Sequence, residues 1–421
     1  RCGVDHQGRS ASPPACGAGG DPPQHPQHQS QRHGDRGLRH QRRRARDLAP
    51  VGATGHCRAH QWSFSHSVPR SGYRLSTVHL LHPHHANAMT KQLRNLLIAG
   101  LAIVLAVACS KPSTPTVGGT PIVLGYSNWA GWWPWAIAVE EKLFEKNGVN
   151  VEMKWFDGYV QSMETFAAGK IDGNSQTLND TISFLPGENG GEVVVLVNDN
   201  SAGNDQIIAD ASITSVAELK GKTVAVEEGV VDDYLLSLAL KDVGLSREDV
   251  VIKGMPTDQA ATAFAAGQVD AVGAFPPYTG TAMQREGARV IASSKEYPGA
   301  IPDLLTVSGD LIKERPDDVQ KIVKTWWDVR DFMEKNPEKS EEIMAKRAGI
   351  PTEEYEQYKD GTRFFSIDEN LEAFSEGEGM QYMPYASESM ADFMVSVGFI
   401  PEKPDMSNLF DSSFIKKVAD S

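Results

Sequence analysis

Short apolar segments alternate with longer amphipathic segments along the chain from residue 121 to about residue 300. IVLGY, VEMKW, VVVLV and TVAV are typical of buried strands, whereas YVQSMETFAA and VDDYLLSLALKD have the apolar spacing of helices. This order of strands and helices predicts mostly parallel sheets with helices on their faces. We therefore expect an α/β fold, with a helix-rich segment after residue 300 that packs back on its first part.

A short motif is repeated within this alternation. FAAGKIDG covers residues 166–173, and FAAGQVDA covers residues 264–271. In both copies a glycine ends a predicted helix, and a predicted strand begins shortly after it. The repeat therefore predicts two lobes that use the same βαβ unit.

Residues 1–88 differ in composition from the rest of the chain. They hold all 12 histidines and three of the four cysteines, and their net charge is +8, whereas the whole chain carries −14. Such a change marks a different kind of segment. We expect upstream sequence that is not native to the protein, or a disordered leader. A basic nucleic-acid-binding tail is the functional alternative.

Residues 89–108 have the features of a lipoprotein signal peptide. A positively charged start is followed by 13 apolar residues, a length typical of signal peptides and too short to span a bilayer. LAVAC resembles a bacterial lipobox, which predicts a periplasmic or cell-surface protein anchored to the membrane by lipid at Cys109, with a flexible tether over 109–120. Because Ala106 stands where a lipobox usually has leucine, ordinary secretory cleavage is the alternative.

Beyond Cys109, the sequence contains neither histidine nor cysteine. Zinc sites built from these residues and catalytic pairs that need them are therefore excluded there. We expect no metal, no cofactor and no enzymatic activity. The acidic balance of this part argues against nucleic acid as a partner.

Three longer segments follow the lipobox in order: SVAELKGKTVAVEEG, TAFAAGQVDAVGAF and PGAIPDLLTVSGDLIKERPDDVQKIVKTWWD. Together they resemble the solute-binding proteins of bacterial ABC importers, in the nitrate/sulfonate/taurine-type branch that includes thiamine-pyrimidine binders. The resemblance implies a type II periplasmic-binding-protein fold, with residues 121–207 plus 301–421 in lobe one and 208–300 in lobe two. It also implies a small-molecule solute between the lobes, and permease and ATPase subunits as partners of a monomer.

In open parallel sheets, ligands bind at the carboxyl ends of the strands. We therefore expect the loops that follow the predicted strands to face the cleft. The first of these loops, SNWAGWWPW, holds four of the eight tryptophans of the chain. The residues predicted to contact the solute are Asn128, Trp129, Trp132, Trp133, Asp157, Gln176, Asn179, Asp180, Asn204, Glu227, Glu228, Asp232 and Phe275.

These loops combine aromatic rings with carboxylates and amides, and they contain neither lysine nor arginine. Aromatic faces and carboxylates suit a small cation, whereas an anion requires basic side chains or free amides at a helix start. The sequence therefore favours a compact nitrogen-rich solute such as guanidine, an amidine, urea or a small amine. Nitrate, a sulfonate such as taurine, and a thiamine-pyrimidine precursor, which the resemblance implies, are the alternatives.

Structural roles compete with binding for several of these residues. Asp232 stands at a predicted helix start, where carboxylates commonly cap the helix. Asn179 stands at a turn or cap position, and only one of the adjacent residues Glu227 and Glu228 is expected to point inward. The core of the second lobe is the alternative position for Phe275.

Among the clustered tryptophans, we expect Trp129 and one of Trp132 and Trp133 to form walls of the site, with Trp135 in the core. The acidic segment 353–370 is expected to be a solvated face. Two functions other than import stay open, a ligand-sensing ectodomain and a carboxylate-based hydrolase. Since no spacing singles out a pair of carboxylates, we expect a binding protein rather than an enzyme.

Overall fold

The computed structural model describes residues 118–185 and 191–421. The predicted leader, the signal peptide and Cys109 lie outside these ranges, and their roles stay predictions. Within the described ranges, no helix combines the length and the apolar character needed to cross a bilayer.

Two sheets form the centres of two α/β lobes. Their strands are β1 Ile122–Tyr126, β2 Val151–Trp155, β3 Gly173–Thr177, β4 Glu192–Ser201, β5 Gln206–Ala209, β6 Thr223–Val226, β7 Val251–Gly254, β8 Ala271–Ala274, β9 Arg289–Ser293, β10 Pro302–Ser308 and β11 Thr362–Phe364. The first sheet has the order β11-β4-β10-β3-β1-β2, and the second has the order β7-β6-β8-β5-β9. This is the two-lobe α/β fold that the sequence predicts.

In each sheet, four strands run in one direction. β1 is parallel to β2 and β3, whereas β10 is antiparallel to β3 and β4, and β11 is antiparallel to β4. In the second sheet, β6 is parallel to β7 and β8, and β5 is antiparallel to β8 and β9. The carboxyl ends of the parallel strands therefore meet at one edge of each sheet, where loops can face a common cleft.

Helices cover both sheets. They are α1 Trp135–Glu140, α2 Leu143–Lys146, α3 Tyr159–Ala167, α4 Leu178–Phe184, α5 Val231–Asp242, α6 Thr257–Ala265, α7 Tyr278–Ala282, α8 Gly309–Glu314, α9 Pro316–Lys335, α10 Pro337–Ala348, α11 Thr352–Tyr355, α12 Ile367–Ala373, α13 Met383–Ser396 and α14 Ser413–Ala419. Short 3₁₀ helices occur at Val216–Leu219, Arg247–Asp249, Ser294–Glu296 and Glu356–Tyr358. Lys142 has left-handed backbone (φ 56°) and separates α1 from α2.

The repeated motif has the same structural role in both lobes. The glycine of each copy adopts left-handed backbone, with φ of 64° and 72°, and ends α3 and α6. Three residues later, the Asp172 carboxylate accepts a hydrogen bond from the backbone N–H of Val123 at 2.7 Å, and Asp270 accepts one from Thr223 at 2.8 Å. Each aspartate therefore fixes the start of the neighbouring parallel strand, β1 or β6.

Two segments carry the chain between the lobes, the first from β4 to β5 and the second from β9 to β10. The Ser201 and Ser294 hydroxyls of these segments are hydrogen-bonded at 2.7 Å. The lobe boundary was expected after residue 207, and β5, which pairs with β8 and β9 of the second sheet, begins two residues earlier, at Gln206.

The helix-rich segment after β10 contacts both lobes, whereas the sequence predicted packing on the first lobe. Trp326 of α9 packs against Trp135 of the first lobe, with ring centroids 4.8 Å apart. α13 lies against α4 of the first lobe and also reaches the second lobe, where Phe393 packs edge-on against Tyr234 of α5. These aromatic contacts place the end of the chain across both lobes.

Candidate functional site

A narrow cavity of about 10 Å³ lies between the two lobes, beside the carboxyl ends of β1, β3 and β8. This is the position at which α/β sheets bind ligands. We call it the inner cavity. Its lining residues are Asn128, Trp129, Trp132, Tyr159, Thr177, Asp205, Val231, Phe275, Ile301 and Asp303.

A second cavity, also of about 10 Å³, adjoins the first, and we call it the outer cavity. Asn128, Tyr159 and Phe275 line both cavities. The outer cavity is also lined by Ser127, Asp157, Gly158, Glu227, Pro256, Thr257, Asp258 and Tyr278. Both lobes therefore contribute side chains to one continuous group of residues.

The walls of the inner cavity are aromatic. The ring centroids of Trp129 and Trp132 are 6.5 Å apart, and Trp132 lies 5.5 Å from Tyr159. Phe275 of the second lobe packs edge-on against Trp129 at 6.3 Å, so this wall crosses the cleft. Such rings offer apolar surface and negative faces, which attract a cation within about 6 Å.

Trp133 lies behind this wall. It is fully buried, and its Nε1 donates to Asn128 Oδ1 at 3.2 Å. Its ring packs against Tyr355 and Tyr358 at 6.0 and 6.2 Å. Of Trp132 and Trp133, only Trp132 lines the inner cavity. Both tyrosines belong to the acidic segment predicted to be a solvated face, and they are buried because they fill the space behind Trp133.

Two aspartates face each other beside the inner cavity. Asp303 of β10 is paired with Asp199 of β4 across the antiparallel strands, so their side chains lie on the same face of the sheet. Trp129 Nε1 donates to Asp199 Oδ1 at 3.1 Å. The backbone at Gly131 comes so close that a Cβ there would overlap with the Asp199 carboxylate. The tryptophan-rich loop therefore folds directly onto this carboxyl pair.

Burial raises the pKa of both carboxyl groups. The pKa of Asp199 is raised to about 7 by burial, although hydrogen bonds from Trp129 and Asp303 lower it. The pKa of Asp303 is raised well above its usual range by burial and by the negative charges of Asp199 and Asp205. Burial and mutual repulsion therefore both favour a proton on this pair over two ionised carboxylates.

Asp205 adds a third carboxyl group to the inner cavity. Burial raises its pKa to about 7, and a hydrogen bond with Ser201 opposes this shift. In the part of the chain that the structure describes, Asp205 Oδ2 receives no hydrogen bond. A buried carboxylate oxygen without a donor is costly, so Asp205 is suited to bind a donor group on a ligand.

Asp180, which the sequence placed in the site, lies behind the cavity wall. Its Oδ2 accepts hydrogen bonds from the Tyr159 hydroxyl at 2.9 Å and from Thr177 Oγ1 at 2.8 Å. Its Oδ1 accepts one from Asn179 Nδ2 at 2.7 Å. Burial raises the pKa of Asp180 to about 7, and the hydrogen bonds from Thr177 and Tyr159 oppose the shift. Asp180 and Asn179 therefore position two lining residues without lining the cavity themselves.

Gln176 and Asn204 were also predicted to contact the solute, and neither lines the two cavities. Gln176 is fully buried inside the first lobe and donates to Thr181 Oγ1 at 3.0 Å. Asn204 donates to the Tyr358 carbonyl and to Thr362 Oγ1, both at 2.8 Å. Their amides satisfy buried polar groups of the fold, which explains their burial.

The predictions for Glu228 and Asp232 are corrected for different reasons. The Glu228 side chain is 60% exposed and forms an ion pair with Arg247 at 3.3 Å, outside the cleft. Asp232 is buried at the start of α5 and accepts hydrogen bonds from the backbone N–H groups of Glu227 at 3.0 Å and Asp233 at 3.1 Å. Asp232 therefore caps the start of α5, which is the structural alternative that the sequence offered to solute binding.

Glu227 and Asp157 lie at the outer cavity. Glu227 accepts a hydrogen bond from Thr257 Oγ1 at 3.1 Å, and burial raises its pKa. Asp157 is exposed and accepts a hydrogen bond from Trp155 Nε1 at 2.9 Å. Of the predicted carboxylates, these two are the ones that line a cavity between the lobes.

None of the residues that line the two cavities is lysine, arginine or histidine. Arg330 of α9 is the basic residue whose charge lowers the pKa of Asp199 against the effect of burial. The Arg330 guanidinium itself lies over the Phe364 ring, 4.3 Å from its centroid. Among residues 118–185 and 191–421, no group of three acidic, histidine or cysteine side chains could hold a metal ion.

Sequence reasoning did not select Asp303, Asp205, Tyr159 or Thr177, although all four line the inner cavity. Tyr159 and Asp205 stand in loops that were expected at the cleft. Asp303 was missed because β10 was not predicted, although PDLLTVS has a strand-like apolar run after a proline.

The chain is similar in sequence to several known proteins. The sequence model of the NMT1-like family matches residues 117–348. A protein of Brucella abortus (strain 2308), provisionally named a binding protein, is 30% identical over 252 residues, which are 58% of this chain and 77% of the relative. A protein of Bacillus subtilis (strain 168), provisionally named an aliphatic sulfonates-binding protein, is 26% identical over 282 residues. These residues are 66% of this chain and 81% of the relative.

Solved structures share the fold at low identity. The alkanesulfonate-binding protein SsuA from Xanthomonas axonopodis pv. citri, bound to MOPS, has a TM-score of 0.59 at 19% identity and covers 70% of this chain and 100% of its own. The nitrate-binding protein NrtA from Synechocystis PCC 6803 has a TM-score of 0.58 at 14% identity and covers 72% of this chain and 88% of its own. The desulfurization enzyme DSZB has a TM-score of 0.50 at 17% identity and covers 71% of this chain and 99% of its own.

Proposed function

The chain belongs to the NMT1-like family, and we propose that it is the substrate-binding component of an ABC importer that captures a small nitrogen-rich solute between two lobes. The relatives that are named as binding proteins and the two-lobe fold support this role. Permease and ATPase subunits are then its partners. Lipid attachment at Cys109, a periplasmic or cell-surface location and a monomeric state belong to the same proposal.

The observation that carries the choice of solute is the chemistry of the inner cavity. Its walls are aromatic, its carboxyl groups are those of Asp205 and Asp303, and no described residue of its lining is basic. A cation would gain from the ring faces and would supply the positive charge that the carboxyl groups lack. Guanidine-like and amine-like cations therefore fit this cavity best.

Sulfonate and nitrate fit this lining poorly. An anion placed against Asp205 and Asp303 would be repelled unless both carboxyl groups were protonated. The start of α5 does not compensate, because the Asp232 carboxylate already accepts the backbone N–H groups there. The sulfonate and nitrate specificities named for similar proteins are therefore not proposed for this chain.

The size and polarity of the cavity limit the solute further. Its open volume of about 10 Å³ is room for about one water molecule, so a solute must be compact and the lobes must move apart to admit it. In the described part of the chain, Trp132 Nε1 has no acceptor. A solute that carries an acceptor beside its N–H groups, such as a urea-like molecule, would satisfy this donor as well.

Isothermal titration calorimetry of the full chain with guanidinium, methylammonium, urea, nitrate and taurine tests the proposal. We expect binding of at least one nitrogen-rich solute, and none of nitrate or taurine. A solute at 100 times its dissociation constant should also stabilise the protein by about 2.7 kcal/mol in thermal unfolding. Binding of the anions alone would contradict the proposal. Recovery of the bound solute unchanged, checked by mass spectrometry, separates capture from enzymatic conversion.

A further inference from the structure

The arrangement of Asp303 and Asp199 has a consequence for solute binding. The two residues are 1% and 0% exposed, and strand pairing places one directly opposite the other. Asp303 lines the inner cavity, whereas Asp199 is held from the other side by Trp129 Nε1. Like charges at such positions in a sheet are destabilising, so the pair needs either a proton or a counter-charge.

The surroundings of the pair are predominantly acidic. Asp205 lies in the cavity lining and Asp180 behind it, and the charges of both raise the pKa of Asp303. On the other side, the charge of Arg330 acts on Asp199. Tyr355 also faces this region, and burial raises its pKa, so the phenol is neutral. Around the pair, the positive charge of the Arg330 guanidinium is therefore outnumbered by the carboxyl groups of Asp180, Asp199, Asp205 and Asp303.

An independent feature of the cavity points to a ligand that carries positive charge. In the described part of the chain, Asp205 Oδ2 receives no hydrogen bond, although Asp205 is 98% buried and lines the cavity. Trp129, Trp132 and Phe275 surround the same space with aromatic rings. These residues would contact a cation directly, at one end through a carboxylate and along its faces through rings.

We infer that Asp303 and Asp199 make solute capture an exchange of one cation for one proton, which favours charged solutes over neutral ones of the same shape. The inference rests on the proposed function, because it concerns the same cavity. Without solute, Asp303 holds the proton and donates it toward the Asp199 carboxylate. When a monovalent cation enters, the O–H bond of Asp303 breaks and the proton leaves to solvent, so the net charge of the site is conserved.

The exchange predicts how affinity depends on pH and on solute charge. While the pair is protonated in the free protein, affinity for guanidinium should rise by about tenfold for each pH unit, because one proton is released on binding. Above the pH at which the free pair ionises, the affinity should level off. Urea has nearly the same shape without the charge, so its binding should release no proton and should not rise with pH.

Calorimetry of the full chain in buffers of different ionisation enthalpy measures the number of protons released. We expect about one proton for guanidinium and none for urea. Asp303→Asn removes the carboxyl group that gives up the proton, so proton release and the pH slope should fall. Asp310→Asn is the matched control, since Asp310 is exposed in α8 and pairs only with Lys313, and it should behave as the native chain.

Infrared difference spectroscopy tests the proton on the pair directly. The C=O stretch of a buried protonated carboxyl group should be present in the free native chain at neutral pH and should disappear when guanidinium binds. Binding of guanidinium without proton release would overturn the inference and leave the proposed function intact. Failure of every nitrogen-rich solute to bind would overturn the proposed function and the inference with it, whereas binding of urea without binding of any cation would overturn the inference alone.

Discussion

Asn128 of the first lobe donates through Nδ2 to the hydroxyl group of Tyr278 of the second lobe, at 3.1 Å. Its Oδ1 accepts a hydrogen bond from Trp133 Nε1, so the amide is held from both ends. Asn128 lines both cavities, and Tyr278 lines the outer one. This hydrogen bond therefore joins the two lobes at the wall of the candidate site, where hinge closure would enclose a solute.

Removal of this contact by Tyr278→Phe should favour the open arrangement of the lobes. A net hydrogen bond contributes about 0.5–1.5 kcal/mol, so solute affinity should fall by roughly 2- to 10-fold. Small-angle X-ray scattering of the free variant should give a larger radius of gyration. Tyr385→Phe is the control, because Tyr385 is 44% exposed and distant from both cavity linings. Unchanged affinity and radius in Tyr278→Phe would show that the bond does not hold the lobes together.

The two neighbouring tryptophans Trp132 and Trp133 should respond differently to substitution. Trp132→Leu removes a ring from the inner cavity, and the lost cation–π contact of about 0.5–2 kcal/mol should weaken binding by roughly 2- to 30-fold. Trp133→Phe changes a residue behind the wall and should lower the unfolding temperature while leaving affinity within about threefold. Titration calorimetry and thermal unfolding of both variants measure these effects. The opposite pattern would place Trp133, rather than Trp132, against the solute.

The sequence predicted the regular parts of the fold well, because their signals are local. Apolar runs and helical periodicity located β1, β2, β6 and α5. The repeated motif predicted the same βαβ unit in both lobes, and in the structure Asp172 and Asp270 have the same role in the two copies. β5 and β10 were not predicted, and their place is set by pairing with strands distant in the chain.

The candidate site was predicted only in part, because contacts with distant elements decide which loop residues face the cavity. The rule that ligands lie at strand ends selected Trp129 and Phe275, and both line the inner cavity. Whether a polar residue in such a loop faces the cavity or the interior depends on its neighbours from other elements. Gln176 and Asn204 turn to partners inside the fold, whereas Asp303 enters the site through the register of β10 against β4.

Gly131 should be intolerant of any side chain, because a Cβ at this position would overlap with the Asp199 carboxylate. Gly131→Ala should destabilise the protein by about 1–3 kcal/mol, the usual effect of overpacking, and should weaken solute binding by displacing Asp199. Gly118→Ala is a control outside both cavity linings, since a Cβ there would meet no described atom within 4 Å. Denaturant unfolding and titration calorimetry of both variants test this. Equal stability of the two would mean that the loop and Asp199 can separate without loss.

The solute-free protein should lose stability as the pH rises from 6 to 8. Burial raises the pKa of Asp180, Asp199 and Asp205 to about 7, from a value near 4 in the unfolded chain. Between these values the folded state binds more protons than the unfolded state, so its stability is greatest at low pH and is lost as the pH passes through 7. Asp205→Asn removes one of these groups and should flatten the dependence. Thermal unfolding at constant ionic strength measures it, and an unfolding temperature that rises from pH 6 to 8 would contradict the burial of protonated carboxyl groups.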